Sequence, residues 1–96
     1  MKLVMMIADT AYSADVEQML EECEVPGFTE IPNVLGKGST GRKFGSRAFP
    51  GSSTMYLAAL EEHCLEPLRD RLESLRDQHG REGGLKAYTI STEELL

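Results

Sequence analysis

Twice in this sequence a short apolar run leads directly into an amphipathic helical stripe, and that repeated order limits the fold more than any other feature. Residues 2–8 (KLVMMIA) and 53–60 (STMYLAAL) are the two runs, each suited to a buried strand. After the first come Val16, Met19, Leu20 and Cys23, at the i, i+3, i+4, i+7 spacing of one helix face. Ser13 is the expected N-cap, Asp15 and Glu17 suit the positive end of the helix dipole, and Pro26-Gly27 is the expected stop. After the second run, Leu65, Leu68, Leu72 and Leu75 form one stripe within 61–78. Pro67 fits only a first turn, where its missing N–H costs nothing, and Arg69 and Glu73 make an i,i+4 pair. Residues 28–35 (FTEIPNVL) and 85–90 (LKAYTI) read as the remaining strands, with Pro32 confining the former to an edge or a bulge.

The resulting order, β-α-β-loop-β-α-β, predicts an α+β, ferredoxin-like βαββαβ fold in one domain, 1–96, with both helices on one face of an antiparallel sheet. Leu3, Met5, Ile7, Met55, Leu57 and Ala59, or their alternates, then lie on the opposite face. An uncovered apolar face predicts association between copies. A chain of 96 residues buries a modest core, so association would also help its stability.

Between the second and third strands lies GKGSTGRKFGSRAFPG, residues 36–51, with five glycines, four basic side chains and no acid. So long a connection in so small a domain is usually functional or disordered. The chain as a whole has a net charge of −6, so the cations Lys37, Arg42, Lys43 and Arg47 form a basic island on an acidic body. Such a distribution argues against broad nucleic-acid binding and for a local anion site. Gly36-x-Gly38-x-x-Gly41 fits GxGxxG on paper, but no helical stripe follows it, so a dinucleotide fingerprint is excluded. The Walker pattern fails as well, because Arg42-Lys43 follows Gly41 where Lys-Ser/Thr is required. The general physics survives: glycines let backbone N–H groups turn toward an anion, and Arg42 and Arg47 can grip phosphate oxygens.

The other reactive residues assemble into nothing clear. Cys23 and Cys64 read as reduced, packed thiols. Adjacent His63 and Cys64 cannot face one site from a regular helix, and His79 beside Gly80 suits the negative end of a helix dipole. A metal site from Cys23, His63, Cys64 and His79 is therefore disfavoured, and no metal is assigned. No nucleophile, base and orienting group line up, so no catalytic residue is assigned and the chain is read as non-enzymatic. The apolar start is too short to span a bilayer, which predicts a soluble, cytoplasmic protein with no membrane insertion. Tyr56 and Tyr88 are too few for a base-stacking surface, so no nucleic acid is expected.

With its loop NVLGKGSTGRKFGSRAFPG and its later GREGGLKAY, the chain resembles the P-II signal-transduction superfamily, and within it the short P-II-like regulators. The resemblance spans nearly the whole sequence. It implies a homotrimer with a T-loop at about 36–51, and an adenine nucleotide (ATP, ADP or AMP) in clefts between subunits. It places Gly36, Lys37, Gly38 and Ser39 at the base of that loop, with Arg42 and Arg47 further along it as phosphate or partner contacts. Arg81, Gly83, Gly84 and Lys86 would approach the phosphates. It also implies regulation of a partner through the T-loop, a membrane transporter being the expected kind. Two departures stand out: residues 36–51 contain no tyrosine to be uridylylated, and the final STEELL carries no basic residue. The alternative within the same fold is a CutA-like trimer that binds divalent metals.

Overall fold

The computed structural model describes residues 1–38, 41–43, 52–79 and 84–96. Strand β1 (Lys2–Asp9) is followed by a 3-10 turn (Thr10–Tyr12) and helix α1 (Ser13–Glu22). Strand β2 (Thr29–Val34), the short strands β3 (Gly36–Gly38) and β4 (Gly41–Lys43), and strand β5 (Ser53–Leu60) come next. A second 3-10 turn (Glu62–Cys64), helix α2 (Leu65–His79) and strand β6 (Lys86–Ser91) complete the order. The main sheet runs β2-β5-β1-β6 with every neighbouring pair antiparallel, which is the ferredoxin-like arrangement.

Alternation along the two central strands decides which face is inside. Val4, Met6 and Ala8 of β1, and Tyr56, Ala58 and Leu60 of β5, are buried with Val16, Met19 and Leu20 of α1 and Leu68 and Leu75 of α2. Thr54 is buried on the same side, and its hydroxyl is satisfied by Thr10 Oγ1 at 3.0 Å. The other face carries Leu3, Met5, Ile7, Met55 and Leu57, all half-buried, because no layer of the described residues covers it. The register sets Leu3 beside Ala59 and Ile90, Met5 beside Leu57 and Tyr88, and Ile7 beside Met55. Paired residues share a face, so an apolar patch crosses the sheet.

The ends of α1 differ from the sequence reading. Ser13 is the first helical residue and not the N-cap; Asp9 instead caps the preceding 3-10 turn, its Oδ1 accepting from Ala11 N at 3.0 Å. The helix also stops before Pro26-Gly27. Glu24 takes φ 55°, while Glu24 N donates to Glu21 O and Val25 N to Leu20 O. Those two bonds are a Schellman stop, made here with a glutamate in the left-handed position that glycine usually fills. Pro32 behaves as expected: β2 is an edge strand whose register shifts between Ile31 and Val34, with Asn33 at φ 59°.

A second difference concerns the glycine-rich stretch, which reads in sequence as one uninterrupted loop. Its described part is a two-stranded ribbon, in which Gly36 pairs with Lys43, Lys37 with Arg42 and Gly38 with Gly41. Backbone pairing here proceeds without any apolar alternation in the sequence.

Candidate functional site

The glycine-rich stretch departs from β2 and returns into β5 at neighbouring positions, since Val34 pairs with Ser53. Polar contacts fix that return. Thr10 N donates to Ser52 O at 2.9 Å, and the Thr10 and Ser52 hydroxyls lie 3.0 Å apart. Gly36, Lys37 and Gly38 form β3 and Arg42 lies in β4. The β3–β4 backbone register sets position 37 opposite position 42.

Gly84 and Lys86 occupy the far edge of the sheet. Gly84 has φ 61°, a conformation natural to glycine, and turns the chain into β6. Lys86 opens β6 opposite Ile7. Asp9 and Ser53 pair on the inner strands, so Lys86 and Val34 lie toward the same end of the sheet. Between their strands, β6 and β2, lie β1 and β5, and three inter-strand spacings amount to roughly 14 Å. The two glycine segments thus share an end of the molecule but stand on opposite edges. Ser39, Arg47, Arg81 and Gly83 lie outside the described residues.

Beside Lys86 an open groove of about 280 Å³ is lined by Arg69, Leu72, Glu73, Arg76, Leu85 and Ala87. Arg69 and Arg76 are cations near Lys86 that sequence reading leaves among solvated helix charges. Their i, i+7 spacing is the available signal, since it sets them on one face of α2 with Leu72 and Glu73 between them. Arg69 Nε is 3.2 Å from Glu73 Oε1, as that i,i+4 pattern anticipates. A groove of this size falls just below the usual range of a small-molecule site, roughly 300 to 1,000 Å³.

The disfavoured metal ligands stay apart. Cys23 and Cys64 pack against the core at the end of α1 and the start of α2, and burial pushes the Cys23 thiol up. His79, at the end of α2, meets Asp15 and Tyr12. Among the described residues no group of three His, Cys, Asp or Glu side chains could hold a metal ion. Tyr56 is completely buried under the helices while Tyr88 is 52% exposed, and Tyr88 pairs with Met5 of the open face. The two tyrosines therefore face opposite ways and cannot form one stacking platform. No described helix is long and apolar enough to cross a membrane.

Against this geometry the family described as "Nitrogen regulatory protein P-II" matches residues 1–94. The chain belongs to the P-II family. No curated protein matches. Among solved structures, CPII, a nitrogen regulatory PII-like protein from Thiomonas intermedia K12, is similar in a form bound to ADP, AMP and bicarbonate. Its identity is 25% and its TM-score 0.73, with 93% of this chain and 84% of that chain covered. The same protein bound to ADP and bicarbonate gives 26% identity and a TM-score of 0.72 over the same shares. A putative PII-like signaling protein from Thermus thermophilus shares the fold, at 18% identity and a TM-score of 0.66 over 93% of this chain and 82% of that one.

Proposed function

We propose that this P-II protein is a non-enzymatic, cytoplasmic regulator that binds an adenine nucleotide between subunits of a homotrimer. Two segments serve the nucleotide. Gly36, Lys37, Gly38, Ser39, Arg42 and Arg47 belong to the T-loop side, and Arg81, Gly83, Gly84 and Lys86 to the second glycine segment. The observation that carries the reading is their placement: the two segments end on opposite edges of one sheet, roughly 14 Å apart. A neighbouring copy is the simplest means of bringing one segment of each kind around a single ligand. The similarity to CPII, crystallised with ADP and AMP, supports the choice of ligand.

Nucleotide binding then biases the conformation of residues 36–51, and the loop alters its affinity for a partner, a membrane transporter being the proposed kind. A nucleotide shifts such a switch only by the difference in its affinity for the two loop states. Bicarbonate accompanies ADP in the two CPII structures described above, and it is the proposed second effector here. Calorimetric titration with AMP, ADP and ATP, each with and without bicarbonate, tests the reading. Saturable heat and a rise in melting temperature with at least one nucleotide are expected. Neither signal at millimolar concentration would overturn it.

A further inference from the structure

We propose that the groove between α2 and β6 is a docking surface for residues 92–96 of a second copy of this chain. Nothing in this pairing depends on a bound nucleotide. The sequence has ten Lys and Arg residues, four of them within 36–51, and three of the other six line this groove. These are Arg69, Arg76 and Lys86, set around Leu72 and Leu85, with Glu73 the single acid among the described lining residues. Arg69 is offset by Glu73 at 3.2 Å, while Arg76 meets Asp77 more loosely at 3.9 Å. Leu72 and Leu85 are half-buried and pack on the core, so they give the groove a firm apolar floor. On a chain of net charge −6 the groove therefore carries an excess of positive charge around an apolar centre.

Residues 92–96 (TEELL) supply the opposite of each feature. Glu93 and Glu94 bring two carboxylates with no cation beside them. Leu95 and Leu96 are 96% and 109% exposed, the most exposed large apolar side chains among the described residues. A chain does not serve its own groove. Lys86 lies at the groove, and β6 runs on from there to Ser91, about 17 Å away. Thr92 N donates to Met1 O, so the segment continues past the far end of the strand. Folding back would need a chain reversal within TEELL, which has no Gly, Pro, Asn or Asp to make one.

The edge of the sheet leaves the way open. β6 pairs with β1 alone, in a register without shifts, whereas the opposite edge strand β2 is interrupted by Pro32 and a register shift. An extended segment can therefore lie close along β6. The groove floor takes its leucines out of water, and Arg69, Arg76 and Lys86 hold its glutamates. Such a contact joins two unlike patches and is heterologous. Repeated by rotation, it closes into a ring, of which the proposed trimer is one case. The ion pairs are exposed, so salt should weaken the contact.

Charge reversal on the whole chain, without nucleotide, tests this. Sedimentation over a dilution series gives the concentration at which half the assembly has come apart. Arg69→Glu with Arg76→Glu reverses the groove, and Glu93→Lys with Glu94→Lys reverses the segment; Lys86 is left alone because the nucleotide reading uses it. Each reversed chain is expected to dissociate at about tenfold higher concentration than wild type, and the chain with all four changes to return within about threefold of it. If a reversed groove lowers the melting temperature, Arg69→Gln with Arg76→Gln replaces it, with an effect of about threefold. An equimolar mixture of the two reversed chains should also regain stability, because in a ring of three two contacts then join opposite charges. Rescue in the chain with all four changes but not in the mixture would mean that each groove holds its own chain's segment, which overturns the proposal. Reversals that leave assembly untouched would overturn it too, and would leave the groove to a small anion or a foreign segment. A wild type that stays a single chain at every concentration would also sink it, with the nucleotide titration still to be judged on its own result.

Discussion

The two faces of the β2-β5-β1-β6 sheet are built from the same two central strands and serve opposite ends. Toward the helices, Val4, Met6, Tyr56 and Leu60 are at most 2% exposed, and they close the core with Leu20 and Leu68. Away from the helices, Leu3, Met5, Ile7, Met55 and Leu57 are only half-buried by their own neighbours, while Tyr88 and Ile90 at the edge are about half exposed. Strict alternation makes this division possible, because each step along a strand changes the face. The difference teaches that apolar content does not say what a residue holds together. The inner set holds the chain to itself, and the outer set is available to hold copies together.

Cutting into the inner set is expected to have the largest effect. Leu60→Ala empties a fully buried position on β5, and such truncations cost about 2–5 kcal/mol. A domain of this size has about 5–10 kcal/mol in total. Chemical denaturation should show a midpoint lowered by a large fraction, with the assembly of the remaining folded protein unchanged. Loss of assembly before loss of fold would break the distinction between the faces.

The outer set should respond the other way. Leu57→Glu places a charge at the middle of the open face, next to Met5 and Thr29 in the register. Light scattering should report a fall from the mass of the proposed trimer to that of one chain, while far-ultraviolet circular dichroism keeps its folded shape. An unchanged mass would show that copies meet elsewhere.

How much of this is legible in the sequence follows from which forces leave a local pattern. The two strand-helix units are readable because burial imposes periods of 2 and 3.6, and the inner set lies where those periods put it. The β3–β4 ribbon is not readable, because GKG and GRK pair through backbone alone and carry no alternation. The end of α1 escapes the sequence because Glu24 adopts a glycine-like conformation that no propensity assigns to glutamate. In the candidate site, Gly84 and Lys86 enter only through the resemblance of GREGGLKAY to a family loop, and no spacing rule singles them out. The groove cations Arg69 and Arg76 pass for surface charge, and the meeting of His79 with Asp15 depends on how α1 packs against α2. That contact is tertiary, and spacing along the chain does not encode it.

A smaller effect lies at the one inner aromatic of β5 with a polar tip. Tyr56 OH donates to Ser13 O at 3.3 Å, and its ring meets Phe28 edge-on at 5.9 Å. Burial chiefly, with help from the charges of Glu30 and Glu17, pushes its phenol up to about 12. A phenol raised in the folded state leaves stability intact below the ordinary value near 10, then loses it progressively until the folded value is passed. Tyr56→Phe should cost about 1 kcal/mol at neutral pH through the lost hydrogen bond. It should also flatten the loss of stability between about pH 10 and 12, followed by melting temperature. An alkaline transition unaltered by the substitution would mean that another group controls it.

The smallest effects come from two exposed carboxylates that shift in opposite directions, and they show that the helix layer has its own electrostatic balance. Glu22 on α1 hydrogen-bonds Arg71 of α2 and Gln18, and these bonds with the arginine's charge hold its carboxyl below the ordinary value. A depressed carboxylate contributes stability above its unfolded value and loses it as the pH falls through the folded one. Glu30 on β2 is pushed the other way, first by loss of hydration, then by its hydrogen bond with Glu17 and by that neighbour's charge. As the pH rises past the unfolded value, the unfolded chain ionises first, so Glu30 lowers stability at neutrality. Glu22→Gln should therefore lower the melting temperature by about a degree at pH 7, an effect that shrinks as the pH falls through the folded value. Glu30→Gln should raise it slightly at pH 7, with no change at pH 3. Shifts of the same sign in both variants would show that the net acidity of the chain, and not these two local contacts, governs its response to pH.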